Sequence, residues 1–465
     1  MSQLSVHVIV LAAGQGKRMM SDLPKVAYPL AGRTLIGWVL EAVRPLQPAS
    51  TVVVIGHGAD RVRSVLAEDV VVAFQEEQLG TGHATQVGLE AIPSLDLGDT
   101  IVVLYGDMPL LTHGLIADLA DLSSGEAARI VTTDLDDPSG YGRVVRDGAG
   151  QVVGIVEDRD CTSEQRLITE INAGVYAFRA GHLEESLQEV SNDNAQGEYY
   201  LTDVAGILVG KGDRLEAVMA STQEVMGINS QDQLAEARKA LQQRTNSRLM
   251  ESGVWMQDPD LTYVDDTVRV EPGARLYPGV HLEGSTTVAA DARIGPDVFA
   301  VDSSIGRGST VWYSVLRSAS IGKNCEVGPY ASLRPGSVLE DGAKAGTFVE
   351  TKNTTLGRDA KAPHLAYLGD ATIGARSNIG AGTITCNYDG DGKYQTEIGE
   401  DVFIGSDTML VAPLKIGDKA VTGAGSVITE DVSEGALAVE RSEQIEIPGY
   451  ADRREARKAA NESED

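Results

Sequence analysis

Cysteine is scarce in this 465-residue chain: Cys161, Cys325 and Cys386 are too few and too scattered for a disulfide framework or a four-ligand zinc site, which fits a reducing compartment. Positive charge is short as well. Against 68 Asp and Glu stand 39 Lys and Arg, a formal charge of -29, and this excludes a general binder of nucleic acid or anionic membrane, which needs a basic footprint. An anionic substrate must meet a local basic pocket instead. No apolar run approaches the roughly 18 residues of a membrane span. The short one at 6–13 has no basic start before it and no small-residue cleavage pattern after it, so the reading is a cytoplasmic protein without a membrane partner. Aromatic residues make up only 5% of the chain, so its core is built from small aliphatic side chains. The length suits two or three domains.

Residues 1–229 alternate strand-like and helix-like patterns, at 6–11, 34–43, 51–55, 70–74, 83–92 and 100–105. That alternation predicts a doubly wound α/β domain with a mostly parallel sheet. Residues 230–252 hold no interior Gly or Pro and place apolar residues at helical spacing behind a Ser-Gln-Asp start, which predicts one linking helix. From 253 to 449 a six-residue period takes over. It runs Val270, Leu276, Leu282, Val288, Ile294, then Ile305, Ile321, Val327, Leu333 and Leu339, later Leu368, Ile373 and Ile379, and finally Ile398, Ile404, Leu410 and Ile416. A hexapeptide period with inward aliphatics and turn residues at corners predicts a left-handed parallel β-helix, three hexapeptides to a coil. The stretch CNYDGDGKYQTE, 386–397, breaks the period and should leave the solenoid as a loop, and the charged tail 450–465 reads as disordered.

The first strand runs into LAAGQGKRM, where Gly14 and Gly16 permit a tight turn offering backbone N–H groups to a phosphate and Lys17, Arg18 and Lys25 supply charge. The spacing matches neither the dinucleotide fingerprint nor the Walker loop. In QEEQLGTGHA, Gly80, Thr81 and Gly82 open a helix beside Gln75. The apolar strand IVVLYGD carries Tyr105 and Gly106 and ends at Asp107, at the carboxyl end of a parallel strand, where open α/β sheets bind ligands. An Asp there either caps a turn or serves Mg²⁺, which takes few protein oxygens alongside phosphates and water.

LAAGQGKRM, SDLPK, QLGTGHA, YGDMPL, GYGRV, GIVE, EINAG and GIN, in this order and ahead of the hexapeptides, resemble the bacterial bifunctional N-acetylglucosamine-1-phosphate uridylyltransferase/glucosamine-1-phosphate acetyltransferases. The resemblance covers nearly the whole chain and implies a Rossmann-like nucleotidyltransferase domain. It implies that Leu11, Ala12, Ala13, Gly14, Gln75, Gly80, Thr81, Tyr105 and Gly106 hold UTP or the UDP-sugar. Gly142, Glu157 and Asn172 then hold the sugar, Asp107 and Asn229 ligate Mg²⁺, and Arg18 and Lys25 steady the triphosphate. The acceptor phosphate is already an anion, so alignment and charge neutralisation carry the transfer without a general base.

A β-helix can be purely structural, so the repeats alone prove no second activity. Of the histidines beyond 253, His281 sits in a regular coil and reads as a solvated corner residue. His364, in KAPHLAYLGD beside a phase slip, is either a loop residue or a base. The resemblance implies that Arg334, Lys352, Tyr367 and Asn378 bind glucosamine-1-phosphate. Acetyl-CoA falls to Ala381, Asn387, Tyr388, Ser406, Ala424 and Arg441, partly from another subunit of a homotrimer. An amine attacking a thioester must lose a proton, and His364 is the nearby histidine for it, with Glu350 to orient the ring and Ser406 plus backbone N–H groups for the oxyanion. Cys386 has no evident base to make it a nucleophile. The leading expectation is a bifunctional enzyme feeding cell-wall precursor synthesis. The alternatives are a single-activity nucleotidylyltransferase with a β-helix that only assembles it, and a non-catalytic scaffold.

Overall fold

The computed structural model describes residues 4–14, 19 and 23–461. Its N-terminal unit is built on a sheet whose main path runs Leu215–Met219, Ala128–Asp134, Glu170–Arg179, Thr100–Tyr105, Val6–Ala12, Ser50–Ile55, Val71–Phe74. Successive side chains along a strand face opposite sides. Val8 and Val10 thus join one buried cluster with Val53, Val102, Ile36 and Val39, while Ile9 and Leu11 join another with Val52, Val54, Ile101 and Leu89. Both faces are therefore covered, the first by helices Leu35–Val43 and His113–Ala120, the second by Thr81–Glu90.

The sheet departs from plain parallel winding at Glu170–Arg179, which runs antiparallel to both Thr100–Tyr105 and Ala128–Asp134. Its register shifts between Asn172 and Tyr176. Gly174 sits at that bulge with φ +78, and a Cβ there would lie 2.2 Å from the Tyr105 ring. Such a bulge re-aims the side chains beside it. The helix Gln231–Glu251 contributes Leu234, Ala237 and Leu241 to a third cluster with Leu35, Trp38, Leu110 and Ile228. The compact units accordingly divide at Ser247/Arg248, with Val264–Thr267 also grouped with the N-terminal unit. The expected linking helix thus buries an apolar face within the first unit.

The C-terminal unit is a parallel solenoid of mostly short strands, most of them paired with the third strand after them. Arg275 pairs with Arg293 and His281 with Phe299, eighteen positions on. The inward aliphatics of the hexapeptide period are buried, Leu282, Ile294, Leu368 and Ile404 at 0% exposure. Corners are turned by Asp291, Asn324, Asp359 and Asp407 in the left-handed region, where short polar side chains are tolerated. Buried hydroxyls brace the coils: Ser309 Oγ donates to the Gly322 carbonyl at 2.7 Å and accepts from Cys325 N at 2.9 Å. Ala371 pairs with Thr396, twenty-five positions on, so 387–395 leave the coil as a loop.

The tail residues Tyr450–Asn461 are helical with no buried residue, since their Ala, Arg, Lys and Glu are strong helix formers and no Gly or Pro interrupts them. One expectation needs correction: His281 is half-buried in a stack of rings, 4.5 Å from Tyr263 and 6.4 Å from Phe299 by centroid, because equivalent positions of successive coils lie one above another.

Candidate active sites

Strands Val6–Ala12 and Thr100–Tyr105 are parallel neighbours with Leu11 opposite Tyr105, so the segments after both emerge side by side. Gly106 N donates to Leu11 O at 2.9 Å. There the chain forms a cleft of ≈ 240 Å³, lined by Leu11, Ala12, Ala13, Gly14, Lys25, Gln75, Gly80, Thr81, Tyr105 and Asp107, with Gln78 and Glu198 among the rest. Gly80 has φ +111, and a Cβ on it would meet the Tyr199 carbonyl at 2.6 Å, so only glycine lets the helix Thr81–Glu90 start here. The Gln75 amide nitrogen donates to Gly80 O at 3.3 Å and meets His83 Nδ1 at 3.0 Å, and Gln78 Nε2 donates to Ala13 O at 3.0 Å. These bonds tie the first two loops together.

Gly142, Glu157 and Asn172 gather beside this cleft. Asn172 N donates to Gly142 O at 2.8 Å, and the Asn172 side chain donates to Tyr176 Oη at 2.6 Å while accepting from Gly174 N at 3.2 Å, which fixes its amide. Burial pushes the Glu157 carboxyl up, and the nearby Asp203, Asp160 and Asp158 add to it, while a donated bond from Thr202 Oγ1 at 3.0 Å opposes. Burial likewise pushes the Tyr105 hydroxyl above its usual range, reinforced by Glu157 and Asp107, so it stays a donor.

The Asp107 carboxylate and the Asn229 amide oxygen both accept from the Lys25 ammonium, the second at 2.9 Å. Ile228 N donates to Asp107 O at 2.9 Å and Asn229 N donates to Gln233 Oε1 at 2.7 Å, so the first turn of the long helix holds Asn229 against the strand end. Two hard oxygens already aimed at one cationic centre fit Mg²⁺.

In the solenoid, Lys344–Leu356 and Lys361–Ile373 are strands of 13 residues, with Thr347 opposite His364. Gly382 N donates to Leu365 O at 2.7 Å, Asp407 N to Ala381 O at 2.6 Å and Gly425 N to Ser406 O at 2.9 Å. His364, Ala381, Ser406 and Ala424 thereby follow one another at the same corner of consecutive coils. Arg441 donates to Ala424 O at 3.2 Å. One side away, Tyr367 pairs with Glu350 across the coils, and Asn387 donates to Asp370 at 2.5 Å.

Residues 8–199 match the MobA-like NTP transferase domain family, and residues 395–430 match the bacterial transferase hexapeptide family, in six repeats. The chain is similar to the "Bifunctional protein GlmU" of Kineococcus radiotolerans, 48% identical over 95% of this chain and 91% of that one. It is equally similar to that of Stutzerimonas stutzeri, 48% identical over 96% and 99%, and it is 44% identical to that of Caldanaerobacter subterraneus over 96% and 97%. The chain belongs to the bifunctional GlmU family. It is a nucleotidyltransferase and an acetyltransferase in one chain, acetylating glucosamine-1-phosphate from acetyl-CoA and then joining the product to UTP with release of pyrophosphate.

Arg18 lies outside the described residues, with Gly16 and Lys17. Glu350 does not face His364: its carboxylate accepts from Arg334 Nη1 at 2.8 Å, because strand register sets it opposite Tyr367, three positions along from His364. Asn378 pairs with Lys361 in the coil below. Two side chains escaped the sequence reading. Thr202 gave no motif, as its bond to Glu157 depends on tertiary placement. Lys393 stands close enough to Lys352 to push that ammonium's pKa down, and it was legible only as the single basic residue of the CNYDGDGKYQTE interruption. Arg334 and Lys393 both stand near enough to Lys352 for their charges to act on its ammonium. Burial pushes the Cys386 thiol up, away from the nucleophilic thiolate. Among the described residues no helix is long and apolar enough to cross a membrane.

Proposed function

We propose that the two transfers use the two constellations just described. In the N-terminal cleft Leu11, Ala12, Ala13, Gly14, Gln75, Gly80 and Thr81 bind the uridine nucleotide, and Gly142, Glu157 and Asn172 orient the sugar, Glu157 accepting from its hydroxyls. The sugar phosphate attacks the α-phosphate in line, and Lys25 neutralises charge on the phosphates. Asp107 and Asn229 hold Mg²⁺, which when bound withdraws charge from the phosphate oxygens.

In the solenoid Arg334, Lys352 and Lys393 bind the phosphate of glucosamine-1-phosphate, with Tyr367 and Asn378 along the sugar. Glu350 positions the Arg334 guanidinium. His364 takes the proton from the attacking amine, and Ser406 with backbone N–H groups stabilises the oxyanion. Acetyl-CoA lies along the small-residue corner of Ala381, Ser406 and Ala424, flanked by Asn387, Tyr388 and Arg441. The observation that most supports this reading is that corner column of small residues starting at His364. The protein works in the cytoplasm as a homotrimer assembled through the solenoid. The exposed rings of Tyr313, Tyr330 and Phe348, with centroids 5.7 and 5.4 Å apart on successive coils, support such a contact face.

Asp107→Asn tests the division of labour. Pyrophosphate release should fall at least about a hundredfold while CoA release holds, and parallel loss of both would refute two separate sites.

A further inference from the structure

We propose that Lys25 is the built-in counter-ion of the metal site, and that a divalent cation enters by exchange, taking the ammonium's position and sending it to the phosphates. This rests on reading Asp107 and Asn229 as the metal's ligands. The two oxygens lie 82 and 204 positions from Lys25 in the chain, so tertiary structure alone makes them converge on its ammonium. The lysine and aspartate side chains are 14% and 17% exposed, a setting in which an ammonium and a dication on the same oxygens repel strongly. Mg²⁺ also needs its oxygens at about 2.0–2.1 Å, the directions that the ammonium's N–H groups now use. One or the other holds the pair.

Lys25 has somewhere to go. Its stem is four carbons long and flexible, and the residue lines the nucleotide cleft beside Gly14 and Tyr105, so a swing of the head group keeps it inside the cleft. Triphosphate oxygens offer it new acceptors there, in place of those it surrenders. Nucleotide and metal then favour one another: phosphates draw the ammonium off the two oxygens, and the metal frees the ammonium for phosphates. Linkage makes the effect reciprocal.

The test is Mn²⁺ titration calorimetry on the full-length, nucleotide-free protein, with Lys25→Met and Asp107→Asn beside it. Lys25→Met should bind Mn²⁺ about ten- to a hundredfold tighter than the parent, the equivalent of releasing a charged hydrogen-bonded competitor. Asp107→Asn should lose the site. In the parent protein Mn²⁺ should also raise labelling of Lys25 by an amine-reactive ester several-fold, read by peptide mass spectrometry, which decides the matter should Lys25→Met fold poorly. Lys25→Met binding no tighter than the parent, with Asp107→Asn still losing the ion, would overturn the exchange alone, as would unchanged labelling. Mn²⁺ bound as well by Asp107→Asn would overturn the ligand reading and the exchange with it.

Discussion

Thr202→Val is the most informative single change at the sugar end of the nucleotide cleft. Thr202 is 4% exposed and its hydroxyl donates to Glu157 at 3.0 Å, so valine keeps the shape and removes the donor alone. A hydrogen bond to a charged group contributes about 1.5–3 kcal/mol. Its loss should lift the already raised Glu157 pKa further. The sign follows from which form loses a partner: the ionised carboxylate does, so protonation becomes easier. In the proposed role Glu157 accepts from the sugar most strongly as the carboxylate, so the acid limb of kcat/KM for N-acetylglucosamine-1-phosphate should move to higher pH. Pyrophosphate release against pH at saturating UTP reads it. Stability gives a second view. A carboxyl whose folded pKa is raised contributes stability that is present below its ordinary pKa and lost as pH rises through the raised value. The variant should therefore trail the parent by about 1.5–3 kcal/mol at pH 8 and by much less at pH 4 in urea unfolding. An acid limb that stays put, with a stability difference independent of pH, would refute the reasoning.

Two further changes test other parts of the account. Lys393→Met should raise KM for glucosamine-1-phosphate about two- to fivefold, the scale of an exposed charge contact, and leave uridylyl transfer untouched in paired assays; an unchanged KM would remove Lys393 from the phosphate site. Ile404→Ala, at 0% exposure inside the solenoid, should cost about 2–5 kcal/mol by urea unfolding, and a cost below about 1 kcal/mol would mean that the coil is not packed as described.

The solenoid was legible in the sequence because its rule is local: each coil repeats one inward aliphatic every six residues, and Leu282, Ile294, Ile379 and Ile404 all sit where that period put them. The first strand and Thr100–Tyr105 were legible for the same kind of reason, as short apolar runs ending at glycine turns. Strand direction is not local. Nothing in EINAGVYAF says that Glu170–Arg179 runs antiparallel, yet that reversal and the bulge at Gly174 set the aim of Asn172. Side-chain partners are still less local. Glu350 carries the same charge whether it faces His364 or Arg334, and only the register of the coils decides for Arg334. Thr202 and Lys393 gained roles through what lies across a cleft or a loop from them.

The central claim is that one chain carries two independent active sites, and CoA release from acetyl-CoA and glucosamine-1-phosphate by His364→Ala tests it most directly. The account predicts a fall of about 10²–10⁴-fold, the usual contribution of a general base, with pyrophosphate release from UTP and N-acetylglucosamine-1-phosphate unchanged. CoA release within a few-fold of the parent would contradict it.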